Sequence, residues 1–152
     1  MLLMDATNNL QLGRGTGKLG RKMEYTIQDD DCLIDLRRLE GAWEFEEVAQ
    51  TEEELTINYE ADIEVNFDLN NRIEIKGFAG LDSLGATAFA NLDLCAGELI
   101  IPEQVLGGVN GSFGNVRTVN KGTFNAEDGS INFTYTLDDF GGTEWQVTAT
   151  KQ

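Results

Sequence analysis

From Gly41 onward, apolar residues recur at every second position, the period of a half-buried β-strand. In the first such run Trp43 and Phe45 share a face, and Glu47 falls on the same side. In the second, Leu55, Ile57, Tyr59, Ala61, Ile63, Val65, Phe67 and Leu69 all point one way. A straight strand of that length spans roughly 50 Å at about 3.3 Å per residue, too long for a small flat sheet. It must bend or coil, as strands do around a barrel or across a sandwich. The pattern predicts eight main strands: 42–48, 54–69, 72–79, 86–94, 98–102, 111–124 with a break, 130–137 and 143–151.

Pairing inward residues with inward residues sets an expected register for four hairpins. A three-residue loop, Asn70-Asn71-Arg72, pairs Leu69 with Ile73 and Phe67 with Ile75, and an asparagine supplies the left-handed residue the loop needs. A four-residue loop, Cys95-Ala96-Gly97-Glu98, pairs Leu94 with Leu99 and Leu92 with Ile101. Another, Ala126-Glu127-Asp128-Gly129, pairs Phe124 with Ile131. A longer loop from Asp138 to Glu144 pairs Tyr135 with Val147 and Leu137 with Trp145. The expected fold is therefore all-β, an antiparallel up-and-down meander of about eight strands closed into a barrel or flattened barrel, which abolishes exposed edges.

Ahead of the meander, residues 1–22 are rich in Gly, Asn and charge and carry no helical pattern, while Met23-Glu24-Tyr25-Thr26-Ile27 alternates like a short strand. Residues 29–40 have marginal helical spacing, with Asp31 placed to cap and Gly41 to stop a short N-terminal helical turn. Residues 1–31 read as an N-terminal extension or the tail of an upstream module, and 32–152 as the β domain.

Composition narrows the chemistry. A formal charge of −16 argues against nucleic acid or an anionic membrane surface as a partner, and no apolar run reaches transmembrane length, so direct membrane insertion is not expected. The absence of histidine removes Ser-His and Cys-His nucleophilic catalysis and the commonest metal ligand. Asp29-Asp30-Asp31, Asp68 and Asp138-Asp139 offer hard oxygen ligands for calcium, but no segment has EF-hand spacing, and no metal site is assigned. Gly15-Thr16-Gly17-Lys18-Leu19-Gly20 matches G-x-G-x-x-G without the preceding strand and following helix that a dinucleotide needs, so no cofactor is expected. With 27 acidic residues some carboxylate pair will sit at glycosidase spacing by chance, so that signal carries no weight. The two cysteines allow one disulfide, Cys32–Cys95, or two buried thiols.

Three aromatic residues are the candidate ligand contacts: Phe78, Phe140 and Trp145. Trp145 falls on an inward strand face, and Phe140 has no strand face to occupy. With Leu81 in the connection after the third strand, Phe78 and Phe140 form either an apolar rim at a barrel mouth or a plug folded over the core.

Leu39-Glu40-Gly41-Ala42-Trp43, Asn71-Arg72-Ile73-Glu74-Ile75-Lys76-Gly77-Phe78, Leu99-Ile100-Ile101-Pro102-Glu103-Gln104 and Ser130-Ile131-Asn132-Phe133-Thr134-Tyr135-Thr136-Leu137 together carry a resemblance. Through them the chain resembles the lipocalin-like C-terminal domains of cell-surface lipoproteins of Bacteroidetes (flavobacterial) bacteria. The resemblance implies a lipocalin-like barrel, an extracellular or outer-membrane surface location, and a leader outside this chain. Asp82-Ser83-Leu84 resembles the O-glycosylation site used by that phylum. The expected function is a non-catalytic surface binding domain, taking a glycan or small apolar molecule at the loop end of the barrel. The alternative is a structural spacer or assembly module of a surface lipoprotein complex, partnered by an outer-membrane protein. A hydrolase with paired acids is the third reading.

Overall fold

Alternation this regular folds as expected. The computed structural model describes residues 32, 34–66 and 71–152. The expectations on residues 15–20, 23–27, Asp29-Asp30-Asp31, Phe67, Asp68 and Leu69 lie outside them. Ten strand segments follow one another: β1 (Gly41–Ala49), β2 (Thr56–Asn66), β3 (Arg72–Lys76), β4 (Thr87–Asp93), β5 (Glu98–Ile100), β6 (Gln104–Gly108), β7 (Gly111–Thr118), β8 (Gly122–Asn125), β9 (Ser130–Leu137) and β10 (Glu144–Lys151). Eight of them form a ring in which β1, β2, β3, β4, β5, β8, β9 and β10 pair in that order and β10 returns to β1. The protein is a closed, eight-stranded antiparallel barrel.

The two extra segments come from two broken staves. Pro102 has no amide hydrogen to give a ladder, and the chain leaves the sheet between Ile100 and Gln104. The expected strand 98–102 thus becomes β5, and a further strand, β6, follows that the alternation did not foresee. The expected break within 111–124 separates β7 from β8. The hairpin of β6 and β7 continues the barrel wall past the break, with β7 held on the distal half of β9. At the break the Gln104 amide takes over from the main chain. Its Nε2 donates to the Phe89 carbonyl at 2.8 Å and its Oε1 accepts from the Phe89 amide at 3.0 Å.

One of the four expected registers holds: Phe124 faces Ile131. The other three are corrected, each by an even number of residues. Val65, not Leu69, pairs with Ile73, although Asn71 is left-handed as expected (φ 63°). Leu92 pairs with Leu99, because Asp93 Oδ1 accepts the amides of Cys95 and Ala96 and draws Leu94 into the turn. Trp145 pairs with Tyr135 and Val147 with Phe133, because the Leu137 carbonyl accepts the Gly142 amide at 3.4 Å and so belongs to the loop on that edge of β9.

Two local expectations are also corrected. Leu55 is 55% exposed, since β2 begins only at Thr56. Among the described residues the N-terminal helical turn is a 3₁₀ turn, Leu36–Leu39, capped by Asp35, and Gly41 opens β1 instead of ending a helix.

The interior is filled. Trp43, Phe45, Ile63, Ile73, Ile75 and Ile131 are fully buried among many smaller apolar neighbours. An eight-stranded barrel is just wide enough for its own side chains to occupy the lumen. Leu39 closes the end where β1 begins, its carbonyl accepting the Trp43 indole N–H at 2.7 Å.

Candidate functional site

Strand alternation places position 47 inside the barrel between Phe45 and Ala49, and the residue there is a glutamate. Glu47 has no exposed surface. Such a group must be hydrogen-bonded or it destabilises the fold. Two other staves provide phenols. Tyr59 of β2, its ring stacked on Phe45 at 5.3 Å, donates to Glu47 Oε1 at 2.5 Å. Tyr135 of β9 donates to Oε2 at 2.8 Å. Among the described residues no cation pairs with Glu47.

Burial pushes the Glu47 carboxyl above its ordinary range, against the two phenol hydrogen bonds that favour the anion. Both tyrosines are pushed up in turn, first by burial and then by the negative charge of Glu47. All three groups hold their protons more tightly than in water, and the carboxylate has no open side for a substrate.

The triad ties down the connection between β3 and β4. Gly77 (φ 82°) turns the chain inward after β3, and Phe78 enters the lumen. Its ring lies 4.8 Å from Tyr135 and 6.3 Å from Phe133. The next residue, Ala79, is left-handed without being glycine (φ 58°), a conformation that needs outside support. That support is Tyr59, whose hydroxyl oxygen accepts the Ala79 amide at 3.1 Å while its hydrogen goes to Glu47. A charge-assisted relay therefore runs from β1 through β2 to the loop that stoppers the barrel.

Phe78 is therefore not at a rim. It is completely buried, and the plug is the arrangement the molecule adopts. Phe140 and Trp145 do meet at this end, with ring centroids 5.8 Å apart and Phe140 half-buried over its neighbour. Trp145 is 6% exposed, and its indole nitrogen has no hydrogen-bond partner among the described residues. Trp43 at the opposite end, by contrast, is satisfied by Leu39. Phe78 and Trp145 converge on Tyr135, one by ring contact and the other by ladder pairing. Cys32 and Cys95 form a disulfide, with Cα atoms 5.2 Å apart. Ser83 is exposed on the outer part of the plug loop. Asp138 is engaged by Asn115 through its backbone and side-chain nitrogens, and no group of acids or cysteines fit for a metal ion occurs among the described residues.

Sequence reasoning missed Tyr59 and Tyr135 as polar partners and Gln104 as a clasp. The first two carry a legible signal: an acid on an inward face requires inward donors. Gln104 carries none, because its partner lies across a gap that only the folded chain creates.

Fold and site together define a closed β-barrel with a filled lumen, stoppered at its loop end by a loop latched to a buried carboxylate. No protein-family model and no curated protein matches the chain. Among solved structures it is similar to a redesigned β-barrel, at 14% identity and a TM-score of 0.49, covering 76% of this chain and 92% of that one. The barrel assignment rests on the ladders of this chain.

Proposed function

We propose that this domain is a non-catalytic structural module of an exported surface protein, an assembly or spacer barrel that works through its outer surface. The observation that carries the reading is the stopper: Phe78 is wholly buried in the lumen, and Ala79 behind it is latched through Tyr59 to Glu47. A carrier needs a vacant interior, and this one is occupied by its own side chains. The disulfide supports export, because such bonds persist in oxidising compartments. The lack of histidine and the sealed carboxylate support a non-catalytic role. A lipocalin-like surface-lipoprotein context and an outer-membrane protein partner fit the same reading.

The test is a tryptophan-fluorescence and thermal-shift screen against fatty-acid-like lipids and soluble polysaccharides, followed by cross-linking of the native protein at the cell surface. Silence towards lipids, together with one dominant protein cross-link, supports the module. A saturable lipid response that moves Trp145 emission and is lost in Phe78→Trp, which overfills the lumen, overturns it.

One observation favours a second reading, a ligand at the loop end. The indole N–H of Trp145 is unpartnered among the described residues and its ring packs against half-buried Phe140, and a glycan or small apolar molecule with one acceptor would satisfy it. Binding that survives Phe140→Ala and Trp145→Ala in a folded protein removes that reading.

A further inference from the structure

At the end of the barrel opposite the stopper, a groove of about 350 Å³ opens between the Leu36–Leu39 turn and the turn joining β8 to β9. Its size is at the lower end of the range for small-molecule sites, about 300–1,000 Å³. Phe124 and Ala126, 6% and 7% exposed, form an apolar floor, and half-buried Ile34 forms one wall.

Both walls are rigid. On one side Asn125 Oδ1 accepts the Glu127 amide at 2.9 Å, while Asn125 Nδ2 donates to Asp128 at 2.9 Å. On the other, the Cys32–Cys95 disulfide anchors the segment leading to Ile34, and Asp35 caps the Arg37 amide at 3.2 Å. The Arg38 carbonyl is held by Lys151 Nζ at 2.5 Å. A groove with walls fixed before binding loses little entropy when it is filled.

The charge on its rim selects the ligand. Arg38 lines the groove, and its guanidinium has no carboxylate partner among the described residues. A planar five-donor fork matches a carboxylate in bidentate geometry. The acids on the same rim are Asp35, one oxygen of which is already used by the cap, and exposed Glu127. They repel any negative charge not seated on the Arg38 fork, so only a single carboxylate held by that guanidinium is accommodated. We infer that this groove binds a small apolar molecule carrying a single carboxylate, its body on Phe124, Ala126 and Ile34 and its head on Arg38. The groove lies outside the sealed lumen, so the inference stands independently of the structural-module reading.

The test uses 4-phenylbutyrate and its uncharged amide as paired probes, with isothermal titration and amide chemical-shift mapping on the intact, oxidised protein. The expected result is saturable binding of the acid at or below about 1 mM, an affinity worth some 4 kcal/mol, with shifts confined to residues 34–38 and 124–127. The amide and the Arg38→Gln variant should each bind at least tenfold more weakly, and Glu127→Gln should bind as well or better. An unchanged melting temperature shows that Arg38→Gln is folded. Absence of saturation, equal affinity for acid and amide, or an unaffected Arg38→Gln overturns the inference. Shifts centred on Ala79, Tyr135 and Trp145 also overturn it, and they bear instead on the loop-end reading.

Discussion

The Tyr59 hydroxyl stands 2.5 Å from Glu47 Oε1, giving its hydrogen to the carboxylate while accepting the Ala79 amide at 3.1 Å. One oxygen atom thus couples a buried charge in the barrel wall to the loop that closes its mouth. Removing it strands two groups at once.

Tyr59→Phe should therefore destabilise the barrel by about 2–4 kcal/mol, since each stranded buried group costs about 1–3 kcal/mol and Tyr59 is only half-buried. Tyr135→Phe strands only Glu47 Oε2 and should cost about 1–3 kcal/mol. Combined with Glu47→Gln, neither change should be additive, because all three residues share one network. Denaturant titration of the single and double variants measures this.

The same carboxyl sets a pH dependence. Its folded pKa is raised above the ordinary value of 4.5. Its stabilising contribution is complete below that value and is lost as pH rises through the raised one. Wild-type stability should fall as pH rises above about 4.5, and Glu47→Gln should flatten the slope. A thermal melt series across that window checks the sign.

Reduction of Cys32–Cys95 reopens a loop with a sequence separation of 63. The chain-entropy estimate for closing such a loop is about 4 kcal/mol, so the melting temperature should drop sharply in reductant. Neither cysteine lies in a strand, so far-ultraviolet circular dichroism below the melt should stay that of a β-barrel.

The Gln104 clasp makes a sharper comparison. Gln104→Ala frees both the amide and the carbonyl of Phe89. Gln104→Glu still accepts from the amide but sets a carboxylate oxygen against the carbonyl. Both variants should lose stability, by about 1–3 kcal/mol for the alanine change. Hydrogen exchange at Phe89 should speed up more in the alanine variant than in the glutamate variant.

On the outer wall, Glu44 faces Glu60 across β1 and β2, and Glu64 faces Glu74 across β2 and β3. Like charges directly opposed in a ladder are destabilising. Glu44→Lys should raise the melting temperature at low salt, and added salt should erase most of the gain. A salt series on both proteins decides it.

Much of this was legible in the chain. Trp43, Phe45, Ile63, Ile75, Ile131 and Val147 fall on inward faces by parity alone, and all are buried. Glu47 on the same face was the sign of an interior polar site. Register was less legible, and the errors share a cause. A slip of two residues keeps every inward side chain inward, so Leu94 against Leu99 satisfies the pattern as well as Leu92 against Leu99. Parity determines faces, whereas local turn chemistry, such as the Asp93 cap and the Leu137–Gly142 loop bond, selects among the allowed slips.

The residue pattern alone specifies an all-β meander, its inward faces, the break within residues 111–124 and the number of staves, because these follow from a period of two and the punctuation between runs. Only the tertiary structure decided that Phe78 fills the lumen, that Tyr59 and Tyr135 reach one carboxylate, and that Gln104 bridges to Phe89. Those relations join residues on different strands, which only the paired barrel brings within hydrogen-bond or ring contact.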